Sequence, residues 1–137
     1  MAKALSHHDA LIYVMVTAAA ADGTITDVEL RRIGNIVSHL PVFADFDVED
    51  LVSTAEACGK VLSAKDGLEK VLDIVAKALT ERMYESAYAL AVEVAAADLK
   101  VNREEVRFLE MLSDRLDLSK LVVAAIERGA RARHRVK

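Results

Sequence analysis

The amino-acid sequence predicts an all-α fold: a single-domain bundle of about seven helices containing two pseudo-symmetric helix–corner–helix units. Three observations carry that prediction. Apolar residues recur at helical spacing, as in Leu30, Ile33, Ile36, Val37 and Leu40, and no segment sustains the period-two alternation of a half-buried strand. One Pro and five Gly in 137 residues are few for the tight turns of a β domain. An acidic corner between two helices is written twice, as AAAADGTITDVELRRI at Ala18–Ile33 and AAADLKVNREEVRFL at Ala95–Leu109.

Each element follows from local signals. Ser6 with Asp9 caps a first helix running to about Ala21, and the uncharged run from Ala10 to Ala21 marks that helix as buried. Thr26 with Glu29 three residues on has the form of a capping box and opens a second helix, which Pro41 ends. The connector VFADFD holds two of the three Phe, which plug the bundle. Asp47 opens a third helix expected to stop near Gly59, and Ser63 with Asp66 is expected to cap a fourth. Leu68, Val71, Leu72, Val75 and Leu79 are the buried stripe of that fourth helix. A short break over Thr80–Met83 precedes a fifth helix ending at Asp98. Asn102 with Glu105 repeats the cap for a sixth, and Ser119 opens a seventh.

The repeat needs no gap. Ala19 to Asp22 fall on Ala95 to Asp98, 76 residues downstream, and Ile25 falls on Val101, Thr26 on Asn102, Glu29 on Glu105 and Arg31 on Arg107. Ile33, Ile36 and Leu40 land on Leu109, Leu112 and Leu116. One helix–corner–helix unit is therefore used twice, with the third and fourth helices between the copies. Each unit alone leaves an apolar face bare, so the two should pack together about a pseudo-twofold axis. The Ala triplets suit that crossing, because small side chains let backbones approach.

Composition narrows the function classes. The chain is 53% apolar but has no Trp, three Phe and three Tyr, so its core is aliphatic. Cys58 is the lone cysteine, which rules out an intrachain disulfide and a CxxC metal site and leans to the cytoplasm. It reads as a small, inert residue near a helix end. Lys3, LIYVMV and AAAA imitate a secretory signal, but His7, His8 and Asp9 interrupt it and the Ala-rich ending recurs internally. The 12 residues from Ala10 to Ala21 are too short to span a bilayer. The net charge of −4 conceals an acidic body and a basic end, for residues 128–137 hold five Lys/Arg and no acid. Such a body is not expected to bind nucleic acid. The domain reading is therefore 1–127 as the helical domain and 128–137 as a basic helix end or tail. Two readings of RGARARHRVK stand: a solvated helix end with cations at the dipole-favoured terminus, or an arm for an acidic partner or anionic membrane surface.

The corners carry the candidate chemistry. Each places an Asp where the incoming helix ends and a Glu in the first turn of the outgoing one. Glu29 and Glu105 have a structural explanation as caps at the positive end of a helix dipole. Asp22 and Asp98 stand where a helix C-terminus disfavours an anion, although an Asp-Gly turn softens the objection for Asp22. Packed symmetrically, Asp22, Glu29, Asp98 and Glu105 would converge. Two carboxylates about 4 Å apart repel by roughly 4 kcal/mol at an effective dielectric near 20, so four require raised pKa values, arginines or a cation. Oxygen-only ligands suit Mg²⁺, Ca²⁺ or Mn²⁺ and suit Zn²⁺ less. Arg31 and Arg107 are the chain's own candidate counter-ions. An EF-hand does not fit, since a loop begun at Asp22 puts Asp27 where the turn Gly belongs and Ile33 where the bidentate Glu belongs.

The paired corner, ADGTITDVE at Ala21–Glu29 and ADLKVNREE at Ala97–Glu105, resembles the signature of the TerB family of tellurite-resistance proteins. The resemblance extends from about Leu11 to Leu118 and implies a seven- or eight-helix domain with acidic corners proposed to bind metal. It also implies a stress-response role in complexes near the inner face of the membrane, with TerC-type membrane proteins and calcium-binding TerD-type proteins as neighbours. The residues carried over are Asp22, Glu29, Asp98 and Glu105, with no catalytic residue among them. The second corner departs from the family pattern by holding Leu99 where Gly is usual. TerB-like domains also occur joined to J-domains, which the lack of His-Pro-Asp excludes here.

Enzymatic readings have little to stand on. No Glu-x-x-His pair exists for a di-iron bundle, and no nucleophile setting or phosphate loop is present. His39 reads as a helix-end residue matched to the dipole. The expectation is a non-enzymatic interaction module with a divalent cation at the corners. Its alternatives are a scaffold whose acids only cap helices and a small metal-dependent hydrolase.

Overall fold

The computed structural model describes residues 5–20, 25–97 and 103–136. The described residues form seven α-helices: α1 His7–Ala19, α2 Asp27–His39, α3 Leu51–Ser63, α4 Gly67–Ala78, α5 Tyr84–Ala97, α6 Arg103–Arg115 and α7 Lys120–Arg133. Short 3₁₀ turns at Pro41–Phe43, Val48–Asp50 and Glu81–Met83 join them, and the described residues contain no strand. The all-α class is as the sequence predicts.

The start signals act as read in most places. Ser6 Oγ accepts the Asp9 N–H at 3.1 Å, and Ser119 Oγ accepts the Val122 N–H at 3.1 Å. Thr26 and Glu29 form a full capping box: Glu29 N–H donates to Thr26 Oγ1 at 3.1 Å while Thr26 N–H donates to Glu29 Oε1 at 2.9 Å. Pro41 ends α2 by opening a 3₁₀ turn, and Phe43 is buried against Phe46 and the His8 ring. His8 Nε2 fastens that plug by hydrogen bonding to the Val42 carbonyl at 2.9 Å.

Two boundaries differ from expectation. Asp47 caps the 3₁₀ turn, not the α-helix, and α3 runs through Gly59 to Ser63. A glycine stops a helix by taking the left-handed conformation just past its end, and Gly59 instead sits inside a helix anchored by Leu51, Ala55 and Cys58. Ser63 does not cap α4: its hydroxyl donates back to the Gly59 carbonyl at 2.9 Å. The N-cap of α4 is Asp66, at φ 58 and ψ 36, with no side-chain capping bond.

α1 lies at the centre. Ala10 through Ala18 are all buried, as expected of a helix apolar on every side. It packs on α5, α3, α4, α6 and α2. Ala87 and Ala91 on α5 and Ala10 and Ala18 on α1 are each 0% exposed, small side chains in the two most buried helices. The packing follows the repeat: α1 holds α2 and α3 as α5 holds α6 and α7, and α1 meets α5 between them. Within this scheme α4 is the unmatched helix, seated on α1, α3 and α6.

Candidate functional site: the paired corners

Glu29 opens α2 and Glu105 opens α6, and the bundle brings both to one small cavity of about 10 Å³. Ala18 and Ala19 from the end of α1, Val94 of α5 and Arg32 of α2 complete its lining. That space matches a single water molecule or bare ion. The small residues at the end of α1 leave room for it.

The two glutamates are not equivalent. Glu29 is half-buried and commits Oε1 to its capping box. Glu105 is only 2% exposed, the one buried ionisable carboxylate side chain among the described residues. Asp22, Asp98 and the Asn102 cap lie outside the described residues. Among those described, no three His, Cys, Asp or Glu side chains gather as a ligand set. The arginine lining the cavity is Arg32, whereas Arg31 and Arg107, the counter-ions expected from the repeat, do not line it. Helical geometry accounts for this. Residues three apart share a face, so Arg32 stands beside Glu29, and Arg31, two residues on, points elsewhere. The spacing in ELRR carries this signal, whereas the repeat matches Arg31 with Arg107 and has Phe108 opposite Arg32.

Oxygen donors in an ion-sized cavity fit a hard divalent cation, and the Arg32 guanidinium offers the same carboxylates an internal alternative. Elsewhere the titratable groups serve structure. Cys58 is 0% exposed, within 3.6 Å of Thr17 Oγ1, and burial pushes its thiol up to about 11, which removes it as a nucleophile. His39 Nδ1 donates to the Asn35 carbonyl at 2.6 Å, as a helix-end residue should.

The basic end of α7 is fastened to α5. Arg133 donates to Glu93 Oε1 through Nε at 3.1 Å and through a terminal nitrogen at 2.5 Å, and His134 Nε2 binds Oε2. Ala130 is buried one turn earlier. Burial raises the Glu93 carboxyl, but hydrogen bonds and charge from Arg133 and His134 outweigh it and hold it below its ordinary value. A carboxyl lowered in the folded state contributes stability above the ordinary carboxylate range, lost as pH falls through its folded pKa. Glu93→Gln should therefore lose less thermal stability than the parent between about pH 6 and about pH 3. Melting curves across that range check it, and parallel losses in both proteins would refute it.

An open cleft of about 600 Å³ runs between α5, α6 and α7. At its base Tyr88 donates to Glu127 Oε2 at 2.7 Å, and burial followed by that carboxylate pushes the phenol far above its usual range. No described helix is long and apolar enough to cross a membrane.

Two repeated helix pairs, meeting through their central helices and bringing Glu29 and Glu105 to one cavity, make up a helical domain. The chain matches the family described as tellurite resistance protein TerB over residues 8–129, nearly its whole length, and belongs to that family. It is not a known enzyme family. No curated protein and no solved structure matches the chain.

Proposed function

We propose that this TerB-family chain is a non-enzymatic interaction module of the tellurite and stress response, holding a divalent cation between its paired corners. The convergence of Glu29 and Glu105 on one ion-sized cavity carries this reading. These glutamates occupy equivalent positions of the repeat, so one sequence motif contributes an oxygen donor from each side. In the sequence Asp22 and Asp98 stand seven residues before each glutamate and are the repeat's further candidate ligands. Mg²⁺, Ca²⁺ or Mn²⁺ would offset their mutual repulsion and tie the start of α2 to the start of α6. Its partners are proteins, among them membrane-associated tellurite-resistance components.

Amide NMR titration of the demetallated protein with Mg²⁺, Ca²⁺, Mn²⁺ and Zn²⁺ tests the site. Saturable changes at Glu29 and Glu105 together are expected, with loss of both in Asp22→Asn/Asp98→Asn. No saturable response up to millimolar cation would mean that the acids are caps alone. Without cation, Glu29→Ala should destabilise by about 1 kcal/mol through the lost capping box. A more stable variant would show instead that repulsion between carboxylates dominates the corner.

A further inference from the structure

The repeat relates α1 and α2 to α5 and α6, and the packing sets α3 on α1 as α7 is set on α5, so the seat of α4 has a counterpart elsewhere on the molecule. α4 rests on α1, α3 and α6. The matching surface must be built from α5, α7 and α2. An open cleft of about 480 Å³ lies there, lined by Ile36, His39 and Leu40 of α2, Leu90 and Glu93 of α5 and Arg133 of α7.

On α2 the cleft matches, position by position, the side of α6 that carries the ion pair to α4. Ile36, His39 and Leu40 correspond to Leu112, Arg115 and Leu116 on α6. On α6, Leu112 is 0% exposed, Leu116 is 3% exposed and Arg115 forms an ion pair with Asp73 of α4. On α2, Ile36 is half-buried, Leu40 is 38% exposed and His39 meets no acid among the described residues. Leu90 and Glu93 correspond to Val14 and Thr17 on α1. Thr17 faces Cys58 of α3, as Glu93 faces Arg133 and His134 at the end of α7, in keeping with α7 packing on α5 as α3 packs on α1.

We propose that the cleft between α2, α5 and α7 is the docking site for an amphipathic helix of a partner protein, resembling α4. The internal example defines the chemistry of that helix. α4 is 12 residues long and buries Val71, Leu72 and Val75 while Asp73 meets the cation at its edge. The partner helix lays an apolar ridge of the same spacing over Ile36, Leu40 and Leu90. It sets an acid against His39, which holds the position of Arg115. Glu93 needs no cation from the partner, because Arg133 and His134 already bind it. Grooves of this kind are read by anchors at i, i+3, i+4 and i+7.

This inference rests on the interaction-module reading and names the class of partner. The probe is a synthetic peptide of residues 65–80, held helical by a side-chain staple on its exposed face. It is titrated into isotope-labelled full-length protein with no cation present. Saturable one-to-one shifts are expected at Ile36, Leu40, Ala89 and Leu90. His39→Glu and Leu40→Glu should each weaken binding about tenfold, equivalent to about 1.4 kcal/mol. Leu40→Glu should melt nearly as the parent does, whereas His39→Glu also gives up the helix-end bond to Asn35, so binding is compared at a temperature where each variant is folded. A peptide carrying Asp73→Lys should recover affinity for the His39→Glu protein. Three results would overturn the proposal: no saturable shift up to millimolar peptide; shifts centred on α3 and α6, meaning displacement of the protein's own α4; or a dimer in sedimentation that Leu40→Glu dissolves, meaning that a second copy covers the cleft. Cation binding reads out at Glu29 and Glu105, away from this cleft, so the two proposals fail separately.

Discussion

Phe108→Ala is expected to lower stability by about 3–5 kcal/mol, a large effect for one side chain in this domain. Phe108 is 0% exposed, and with Tyr88 it is among the largest fully buried side chains. It stands on α6, which packs on α1, α4 and α5, and it belongs to the buried core cluster. The core is otherwise aliphatic and rich in alanine, with few flexible side chains able to move into a ring-sized void. The loss should therefore lie toward the upper part of that range, because cost rises with the cavity that remains. Chemical denaturation of the two proteins measures it. A difference below about 1 kcal/mol would mean that α6 is not held in the core as described.

The repeat makes that prediction more specific. In the first unit the same position is Arg32, which is exposed and lines the small cavity beside Glu29 and Glu105. Sequence alignment of the two copies places the helices correctly but does not say which copy is covered. That is decided by α4, which lies between the copies in the chain and, from its seat on α1 and α3, packs on α6 of the second copy. Periodicity identified the α4 stripe, and Val71, Leu72, Val75 and Leu79 are buried as the pattern requires. What periodicity lacks is the partner of each stripe. Ile36 and Leu40 carry the same apolar pattern as Leu112 and Leu116, yet Leu40 is 38% exposed and Leu116 3%.

Local signals were strongest where side chain and backbone satisfy each other without tertiary help. The Ser6, Thr26 and Ser119 caps are of this kind, each bonded to the N–H three residues on. They failed where packing overrode them, as at Gly59 and Ser63, whose helix is held by the residues it buries. At the corners, sequence identified Glu29 and Glu105 and the helices that carry them, and the fold brings those two to a common cavity. The burial of Glu105 was not legible, because REEVRFL reads equally well as an exposed first turn.

Gly67 is a second position where one atom should matter. A Cβ built there would fall 2.3 Å from the Leu62 carbonyl oxygen and 2.7 Å from the Leu62 carbonyl carbon and Cα. These are backbone atoms of α3, held in place by Leu51, Ala55 and Cys58 in the core, so no rotamer change relieves the contact. Asp66, just before it, takes a left-handed conformation at φ 58, which turns the chain sharply enough to bring α4 against the end of α3. Gly67→Ala should therefore separate the two helices and cost about 3 kcal/mol or more, against the helix propensity that favours Ala. Gly34 supplies the control with the opposite sign. It lies inside α2, where an added Cβ meets only the Leu51 side chain at an ordinary 3.5 Å. Gly34→Ala should stabilise by about 0.5–1 kcal/mol through reduced freedom of the unfolded chain. Denaturant midpoints should move in opposite directions for the same change of glycine to alanine. A shift of the same sign at both sites would mean that backbone entropy alone governs them, and that the close approach of α3 and α4 at Leu62 is not a feature of the folded protein.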